Sequence, residues 1–294
     1  MPIAQLSQIT MAYEQDGQGQ PLLMIMGIGA QLIQWPSAFC DALKAQGFAL
    51  IKADNRDCGL SSKLIENGVP NIRKNMLKRL VGIPIEAPYS LEDMANDFVE
   101  LLDHLGIESC HVLGISMGSM IAQIIAGSHP ARVRSLTLMY SNTGKRRHSL
   151  VKPAAMRRLM IRGKTQNKSE YMEGFVQLFE TIGSPQYRRS REELLQFAAE
   201  AYDRSHHSPG FTRQLLAVFA TGDRERFYRK ITCPTAIIHG HLDPLMPLSG
   251  AQMLAKSISH STSHFFTDLG HDLPDHYINN FVTIIKDKAD ESHH

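Results

Sequence analysis

The feature that most constrains the fold of this chain is a series of six short apolar runs separated by amphipathic stretches. Near-continuous apolar runs are typical of parallel strands that helices cover on both faces. Strand–helix alternation over this length predicts an α/β fold with a mostly parallel sheet and helices on both faces. The predicted strands are Leu22–Met26, Phe48–Ala53, Cys110–Leu113, Ser135–Tyr140, Thr235–His239 and Ser263–Thr267.

The alternation stops between residues 142 and 229, where apolar positions follow only a helical period. Predicted strands flank this segment, so we expect a helical insertion that lies over one end of the sheet. We therefore predict one large domain formed by residues 1–141 and 230–294, with a helical cap at 142–229. The length of 294 residues agrees, since α/β folds of about 200–250 residues often form one unit.

Composition places the chain among ordinary globular proteins and excludes several other classes. Hydrophobic residues make up 43% and charged residues 20%, which excludes a disordered, collagenous or disulfide-scaffold chain. A net charge of +2 gives no overall field that would attract nucleic acid. We expect no membrane partner either, because the apolar stretch at residues 21–33 is too short to span a bilayer. The sequence does not indicate an oligomeric state.

The N-terminus lacks the basic and apolar regions of a signal peptide. Four cysteines, Cys40, Cys58, Cys110 and Cys233, are scattered without a C-x-x-C pair. We therefore expect free thiols in a reducing compartment and a cytoplasmic location. No pattern indicates a metal ion or an organic cofactor.

The strongest chemical signal is the pentapeptide Gly114-Ile115-Ser116-Met117-Gly118, which lies between a predicted strand and a helical run. In this context G-x-S-x-G is typical of a nucleophile elbow, a tight turn that exposes a serine above the sheet. Side chains at positions 114 and 118 would collide with neighbouring elements there. The helix N-terminus would favour negative charge that develops at the serine. Ser116 is therefore the predicted nucleophile.

A serine hydroxyl needs a base that removes its proton. His271 is the best-placed histidine, because it follows the last predicted strand at the carboxyl edge, where open α/β sheets hold their sites. His239 ends the preceding strand and His241 follows it, so both remain alternatives.

The predicted acid that orients the base is Asp243, which also follows a strand and precedes the stiffening Pro244. Asp268 and Asp272 are rivals, but an acid adjacent to His271 is poorly placed to contact its ring. The loop after the fourth predicted strand is the other usual place for such an acid, and it contains no carboxylate.

A tetrahedral intermediate needs two N–H donors directed at its oxyanion. Met117, next to the predicted nucleophile, would supply one, and Ile28 in a glycine-rich loop after the first predicted strand would supply the other. Met26, Met117, Met120 and Met246 are candidates for an adaptable apolar acyl site, although core packing explains Met120 at least as well.

These motifs resemble the α/β-hydrolase superfamily, and the resemblance covers nearly the whole chain. Residues 54–61, Asp-Asn-Arg-Asp-Cys-Gly-Leu-Ser, are similar to its D-x-R-G-x-G-x-S segment, with Asp57 in place of the first glycine. Three segments narrow the similarity to the aclacinomycin methylesterase-like esterases: residues 26–31 with Trp35-Pro36, the Asn55-Arg56-Asp57 segment, and residues 221–224. One departure is Met26-Gly27, where many members of the superfamily have His-Gly. The resemblance implies Ser116 as nucleophile, His271 as base, Asp243 as orienting acid, Ile28 and Met117 as oxyanion donors, and a helical cap at 142–229.

The expected function is a serine carboxylic ester hydrolase that acts through an acyl-enzyme on short to medium esters of small molecules. Relatives with an aspartate nucleophile are disfavoured, because position 116 is serine. A perhydrolase or thioesterase of the same fold remains an alternative. A non-catalytic binding protein is a further alternative, although binding alone needs no serine, histidine and aspartate in this order.

The segment Lys145–Lys168 carries nine Lys or Arg residues and no Asp or Glu. An anionic substrate, an acidic lipid or an acidic partner would each explain this bias. A solvated face of a helix is the favoured interpretation, because charge runs commonly face water.

Overall fold

An eight-stranded sheet runs through the protein in the order β1-β2-β4-β3-β5-β6-β7-β8. The structure is a computed structural model that describes residues 1–162, 165 and 167–292, without the side chain of Leu80. Lys164 of the basic segment lies outside the described residues. The strands are β1 Ile3–Gln5, β2 Thr10–Asp16, β3 Gln20–Ile25, β4 Phe48–Ala53, β5 Cys110–Ile115, β6 Val133–Met139, β7 Thr235–Gly240 and β8 Ser261–Phe266.

The six predicted strands are confirmed as β3 to β8, and neighbours among them pair in parallel. The mostly parallel sheet expected from the sequence is therefore confirmed. β1 and β2 were not predicted, and they form an antiparallel extension beside β4. β1 is three residues long and buries only Ala4, so no apolar run marks it in the sequence.

Helices cover both faces of the sheet. This explains why the apolar run of β3 is continuous. Leu22 and Met24 pack in the layer that contains α1 and α11, whereas Leu23 and Ile25 pack against α3 and α4. Successive side chains of a strand point to opposite faces, so both sets must be apolar. The helices are α1 Ser37–Ala45, α2 Ile72–Leu80, α3 Leu91–His104, α4 Met117–Ser128, α5 Pro153–Arg162, α6 Lys168–Ile182, α7 Arg191–Arg204, α8 Ser208–Thr221, α9 Glu225–Tyr228, α10 Leu248–Ser257 and α11 Ile278–Glu291.

Residues 142–229, called the inserted segment below, connect β6 to β7 and contain α5 to α9. Their described residues form helices and loops and no strand, as the helical period predicts. Three helices of this segment share an apolar cluster with Leu245 of the loop after β7. Among the described residues, no helix has both the length and the apolar character that crossing a membrane requires.

Asp57 ties the loop after β4 to the inserted segment. Its carboxylate forms a bidentate ion pair with Arg213 of α8, with both N–O distances at 2.7 Å. Burial alone would raise the pKa of Asp57, but hydrogen bonds from Arg213 and from the Leu64 N–H hold this pKa below its usual value. Asp57 has a φ of 66°, a conformation that favours glycine. The side chain that replaces the superfamily's glycine thus forms a buried link that glycine could not.

The neighbours of Asp57 extend this link. Asp54 accepts hydrogen bonds from the Leu32 and Leu60 N–H groups and pairs with Arg204 of α7 at 2.7 Å. Arg56 forms a buried bidentate pair with Asp97 of α3. The four-residue stretch after β4 therefore joins the sheet, a covering helix and the inserted segment.

We expect Arg213→Met to lower the free energy of unfolding by about 3–5 kcal/mol, because it leaves the Asp57 carboxylate buried without its partner. Urea unfolding at pH 7 measures this loss. Arg226→Met is the matched control, since the Arg226 side chain is 69% exposed in its ion pair with Glu92 and should cost less than about 1 kcal/mol. Equal losses in the two variants would contradict a special role for the buried pair.

The same pair makes stability depend on pH. The pKa of Asp57 is lower in the folded chain than in the unfolded chain, so the unfolded state takes up this proton first on acidification. The pair stabilises the fold fully above the unfolded value of about 3.9, and its contribution is lost as the pH falls through the folded pKa. Unfolding curves from pH 7 to pH 3 should therefore show the gap between wild type and Arg213→Met narrowing at the acidic end.

Candidate active site

Ser116 lies in the turn between β5 and α4, with φ 57° and ψ −119°. The residues two positions before and after it, Gly114 and Gly118, must be glycines for steric reasons. A Cβ added to Gly118 would lie 2.0 Å from the carbonyl oxygen of Ile25, and one added to Gly114 would lie 2.4 Å from that of Gly118. The collision expected from the sequence is therefore present, and the two glycines allow Ser116 to take the strained conformation of a nucleophile elbow, in which it is 8% exposed.

Hydrogen bonds to β6 hold this turn in place. The Ser116 N–H donates to the Met139 carbonyl at 2.9 Å. The Ser119 hydroxyl lies 2.5 Å from the Gly114 carbonyl and 2.6 Å from that of Met139. Met117 is the first residue of α4, so its N–H has no carbonyl one turn earlier to bind.

The structure brings Asp243 and His271 together. The His271 Nδ1 lies 2.7 Å from Asp243 Oδ2. The other carboxylate oxygen, Oδ1, accepts the N–H groups of Leu245 and Met246 at 2.8 and 2.9 Å. The carboxylate is therefore fixed by the backbone on one side, and it fixes the imidazole on the other.

His239 and His241, the alternatives to His271 as the base, lie outside the wall of the cavity that contains Ser116. His239 is fully buried, and its Nε2 lies 2.9 Å from the Met246 carbonyl. Burial lowers its pKa, so it stays neutral beneath the Asp243 loop. His241 lies exposed in the loop after β7. Neither of them lines the cavity that contains Ser116 and His271.

The rival carboxylates are also engaged elsewhere. Asp268 accepts a hydrogen bond from the Tyr277 hydroxyl. Asp272 Oδ1 accepts both the N–H and the hydroxyl of Ser184, at 3.0 and 2.6 Å. Of the three candidate acids, Asp243 alone is hydrogen-bonded to the imidazole within the described residues.

The end of α6 holds the loop that carries His271, a feature that the sequence analysis missed. The His271 N–H donates to the Ile182 carbonyl at 2.7 Å, and the Gly270 N–H donates to the Ser184 hydroxyl at 2.9 Å. A Cβ on Gly270 would lie 2.5 Å from the Ile182 carbonyl oxygen. No local pattern marks these contacts, because their partners lie more than 80 residues apart in the chain.

Tyr140 is a second residue that the sequence analysis missed. It follows β6 with a φ of 52°, and its ring packs on the His271 imidazole with 5.0 Å between centroids. Its hydroxyl donates to the Asp272 carbonyl. Burial raises the pKa of this hydroxyl, so it stays a donor. Tyr140 therefore fixes both the face of the imidazole and the loop beside it.

The glycine-rich loop after β3 approaches Ser116 from the opposite side. A Cβ on Gly27 would lie 3.2 Å from that of Ser116, and Ile28 lines the same cavity. The Gly29 N–H donates to Gln214 Oε1 at 2.8 Å, and Gln214 Nε2 donates to the Arg56 carbonyl at 2.8 Å. Helix α8 thus fixes the loop that carries Ile28.

A cavity of about 160 Å³ contains Ser116 and His271 in its wall. Of the four candidate methionines, Met26 is the one that lines it. Most of the remaining wall is apolar and comes from both the sheet edge and the inserted segment, including Ile28, Leu159, Phe175, Leu178, Phe197 and Leu245.

The basic segment is not uniformly solvated, which corrects the interpretation favoured from sequence. Arg157 is exposed, as expected for a helix face in water. Arg162, at the end of the same helix, is only 7% exposed and lines the cavity. The physical reason is helical phase, since Arg162 lies on the face that Ala155 and Leu159 bury.

The four cysteines are free thiols, as predicted. Burial raises the pKa of Cys58 to about 12, which keeps this thiol protonated. The described residues contain no cluster of three or more His, Cys, Asp or Glu side chains arranged to hold a metal ion.

The sequence matches the α/β-hydrolase fold family over residues 20–275. The chain belongs to that family. This α/β hydrolase is 25% identical to the rhodomycin D methylesterases DauP of Streptomyces sp. (strain C5) and DnrP of Streptomyces peucetius. Each alignment covers 88% of this chain and 87% of the relative. The enol-lactonase of Burkholderia xenovorans LB400 has a similar fold, with a TM-score of 0.75 at 18% identity over 98% of this chain and 99% of that one.

Two predictions are confirmed by these comparisons. The fold is that of the α/β hydrolases, with a similarity to methylesterases among its relatives. The prediction that this α/β hydrolase is a hydrolytic enzyme is also confirmed. The assignments of Ser116, Asp243 and His271 to catalysis, and of Ile28 and Met117 to an oxyanion hole, stay predictions.

We expect Tyr140→Phe to lower the free energy of unfolding of this α/β hydrolase by about 0.5–1.5 kcal/mol, since it removes a buried donor from the Asp272 carbonyl but keeps the ring against His271. Thermal or urea unfolding measures the change. Tyr277→Phe, which removes a hydroxyl from Asp268 at a more exposed place, is the control and should cost less. A larger loss in the control would contradict the argument.

Proposed function

We propose that this hydrolase cleaves carboxylic esters through a serine acyl-enzyme, with Ser116 as nucleophile, His271 as base and Asp243 as the acid that orients it. The observation that carries the proposal is the 2.7 Å hydrogen bond between His271 Nδ1 and Asp243 Oδ2, in a cavity wall that also contains Ser116. With Nδ1 engaged, Nε2 is the ring nitrogen that remains for the serine hydroxyl.

In the first step, the Ser116 Oγ forms a bond to the ester carbonyl carbon while His271 Nε2 takes the hydroxyl proton. The carbonyl oxygen becomes an oxyanion, which the N–H groups of Met117 and Ile28 would stabilise. The tetrahedral intermediate then breaks its bond to the alkoxy oxygen. His271 gives that oxygen the proton, so the alcohol leaves neutral and Ser116 stays acylated.

In the second step, a water molecule attacks the acyl carbon and His271 takes the water's proton. Collapse of the second intermediate breaks the bond to the Ser116 Oγ, which recovers its proton from His271. The products are one carboxylic acid and one alcohol for each water consumed.

Three observations support the proposed substrates, which are short to medium esters. The cavity of about 160 Å³ is comparable to engineered cavities of about 150 Å³ that hold benzene. Its wall is mainly apolar, which suits an acyl or alkyl group. The names of the Streptomyces relatives denote methylesterases, enzymes that release a small alcohol.

We assign the inserted segment, residues 142–229, the role of a cap. Leu159, Phe175 and Leu178 of this segment line the cavity opposite the sheet edge. Because Ile182 and Ser184 also hold the His271 loop, such a cap would orient the base as well as limit the acyl group.

Ser116→Ala should abolish hydrolysis of p-nitrophenyl esters without unfolding the protein, because it removes the nucleophile from an intact turn. A chain-length series of these esters measures turnover, and circular dichroism checks the fold. An organophosphonate should modify the wild type at Ser116 and leave Ser116→Ala unmodified. Turnover close to wild type in the variant, or modification at another residue, would refute the assignment.

Asp243→Asn should lower kcat by orders of magnitude, about 10⁴-fold in the serine-protease precedent, because the amide favours the wrong imidazole tautomer. The matched control is Asp268→Asn, an acid on the neighbouring loop that pairs with Tyr277 and should change kcat little. Esterase kinetics at saturating substrate measures both. A loss of less than about tenfold in Asp243→Asn would mean that another acid orients His271.

A further inference from the structure

The wall of the cavity contains three arginines, and they differ in their partners. Arg189 pairs with Asp275 at 3.4 Å and stacks over the Phe197 ring. Arg188 is exposed and has no ion pair among the described residues, so it is a free cation where the cavity meets solvent. Arg162 is only 7% exposed, and it lies between this cavity and a smaller one lined by Gly29, Tyr171 and Phe211.

The Arg162 guanidinium uses little of its hydrogen-bonding capacity within the described chain. Nη2 donates to the Gly29 carbonyl at 3.2 Å, and no carboxylate forms an ion pair with it among the described residues. The rings of Tyr171, Phe175 and Phe211 lie 5.2–5.9 Å from its central carbon. These rings compensate the charge in part, but a guanidinium has five N–H donors, and four remain for another acceptor.

The other deeply buried arginines show how this chain ordinarily treats such a group. Arg56 and Arg213 each form a bidentate pair with an aspartate. Arg224 donates to four oxygen atoms of Gln123, Asn142 and Gly222. Burying an unpaired charge is costly, so arginines at this depth are normally matched by acceptors. Arg162 departs from that rule, and it does so in the wall of the cavity that contains Ser116.

The location of Arg162 indicates which group would accept its free N–H donors. The carbonyl that it binds belongs to Gly29, next to Ile28, and Arg162 itself shares a cavity wall with Ile28, Ser116 and His271. A guanidinium binds a carboxylate with two parallel hydrogen bonds, and a mainly apolar wall strengthens that pairing. An acceptor on the substrate would therefore bind the free N–H donors of Arg162 and orient the ester over Ser116.

We infer that the preferred substrates are esters that carry a free carboxylate, such as half-esters of dicarboxylic acids, and that Arg162 binds this carboxylate. The inference rests on the proposed esterase function. Arg188, at the exposed end of the cavity, would attract the same anions before they enter. Removing one charged hydrogen-bonding partner from such a contact costs about 10- to 100-fold in kcat/KM.

The test compares monomethyl succinate, glutarate and adipate with neutral methyl esters of the same chain lengths, followed by acid release in a pH-stat. The wild type should favour the half-esters. Arg162→Gln should lose roughly 10- to 100-fold in kcat/KM on the best half-ester and less than about threefold on its neutral match. Arg157→Gln, an exposed cation on the same helix, is the control and should change neither.

Two outcomes would overturn the inference while leaving the proposed esterase function intact. The first is a wild type that hydrolyses neutral esters as well as, or better than, half-esters. The second is an equal loss on both substrate types in Arg162→Gln, which would make Arg162 a support for the Gly29 loop only. Should Arg162→Gln fail to fold, the wild-type preference and Arg162→Lys, which keeps the charge but loses the planar fork, decide in its place.

A binding measurement separates the inference from the chemistry. Calorimetry with glutarate and the Ser116→Ala protein needs no turnover, so it stays informative if no ester is cleaved and the proposed function fails. Glutarate should bind at least tenfold more weakly when Arg162→Gln is added to Ser116→Ala. Equal affinity of the two proteins for glutarate would overturn the assignment of Arg162.

Discussion

The backbone of α4 lies so close to β3 that no side chain fits between them, and the position of Ser116 depends on this contact. Gly118 lies against the Ile25 carbonyl, and Gly114 against Gly118 itself. The chain can therefore turn from strand to helix within one residue, at a cost of about 1–3 kcal/mol for the strained conformation of Ser116. Parallel pairing of β5 with β3 and β6 on either side holds that strain, as an edge strand could not.

The inserted segment holds both loops that face Ser116. Gln214 of α8 binds the Gly29 N–H on one side, and Ser184 binds the Gly270 N–H on the other. A simple cover would need only apolar contacts with the sheet edge. These hydrogen bonds instead make the geometry of the site a property of both parts of the chain, and the ion pairs of Asp54 and Asp57 fix the distance between those parts.

Local patterns in the sequence were sufficient for much of this structure. The continuous apolar runs predicted β3 to β8, because burial on both faces leaves a strong signal in each segment. The proximity of Asp243 and His271 was predictable because both follow strands, and the carboxyl edge of the sheet collects such loops. The pair of Asp57 with Arg213 could not be predicted, since 156 residues separate the partners and neither has a distinctive neighbourhood. Tyr140 and Ser184 were missed for the same reason.

The basic segment shows what composition leaves undetermined. Within it Lys145 pairs with Glu225 and Lys168 with Asp203, while Arg157 lies in water. Arg162 belongs to the same charge run, yet helical phase turns it inward among aromatic rings. A run of Lys and Arg residues predicts a positively charged segment. The role of each single cation depends on the hydrogen-bond acceptors around it. Because the chain supplies its other buried arginines with oxygen acceptors, the donors left open on Arg162 distinguish it from them and from the exposed cations of the same charge run.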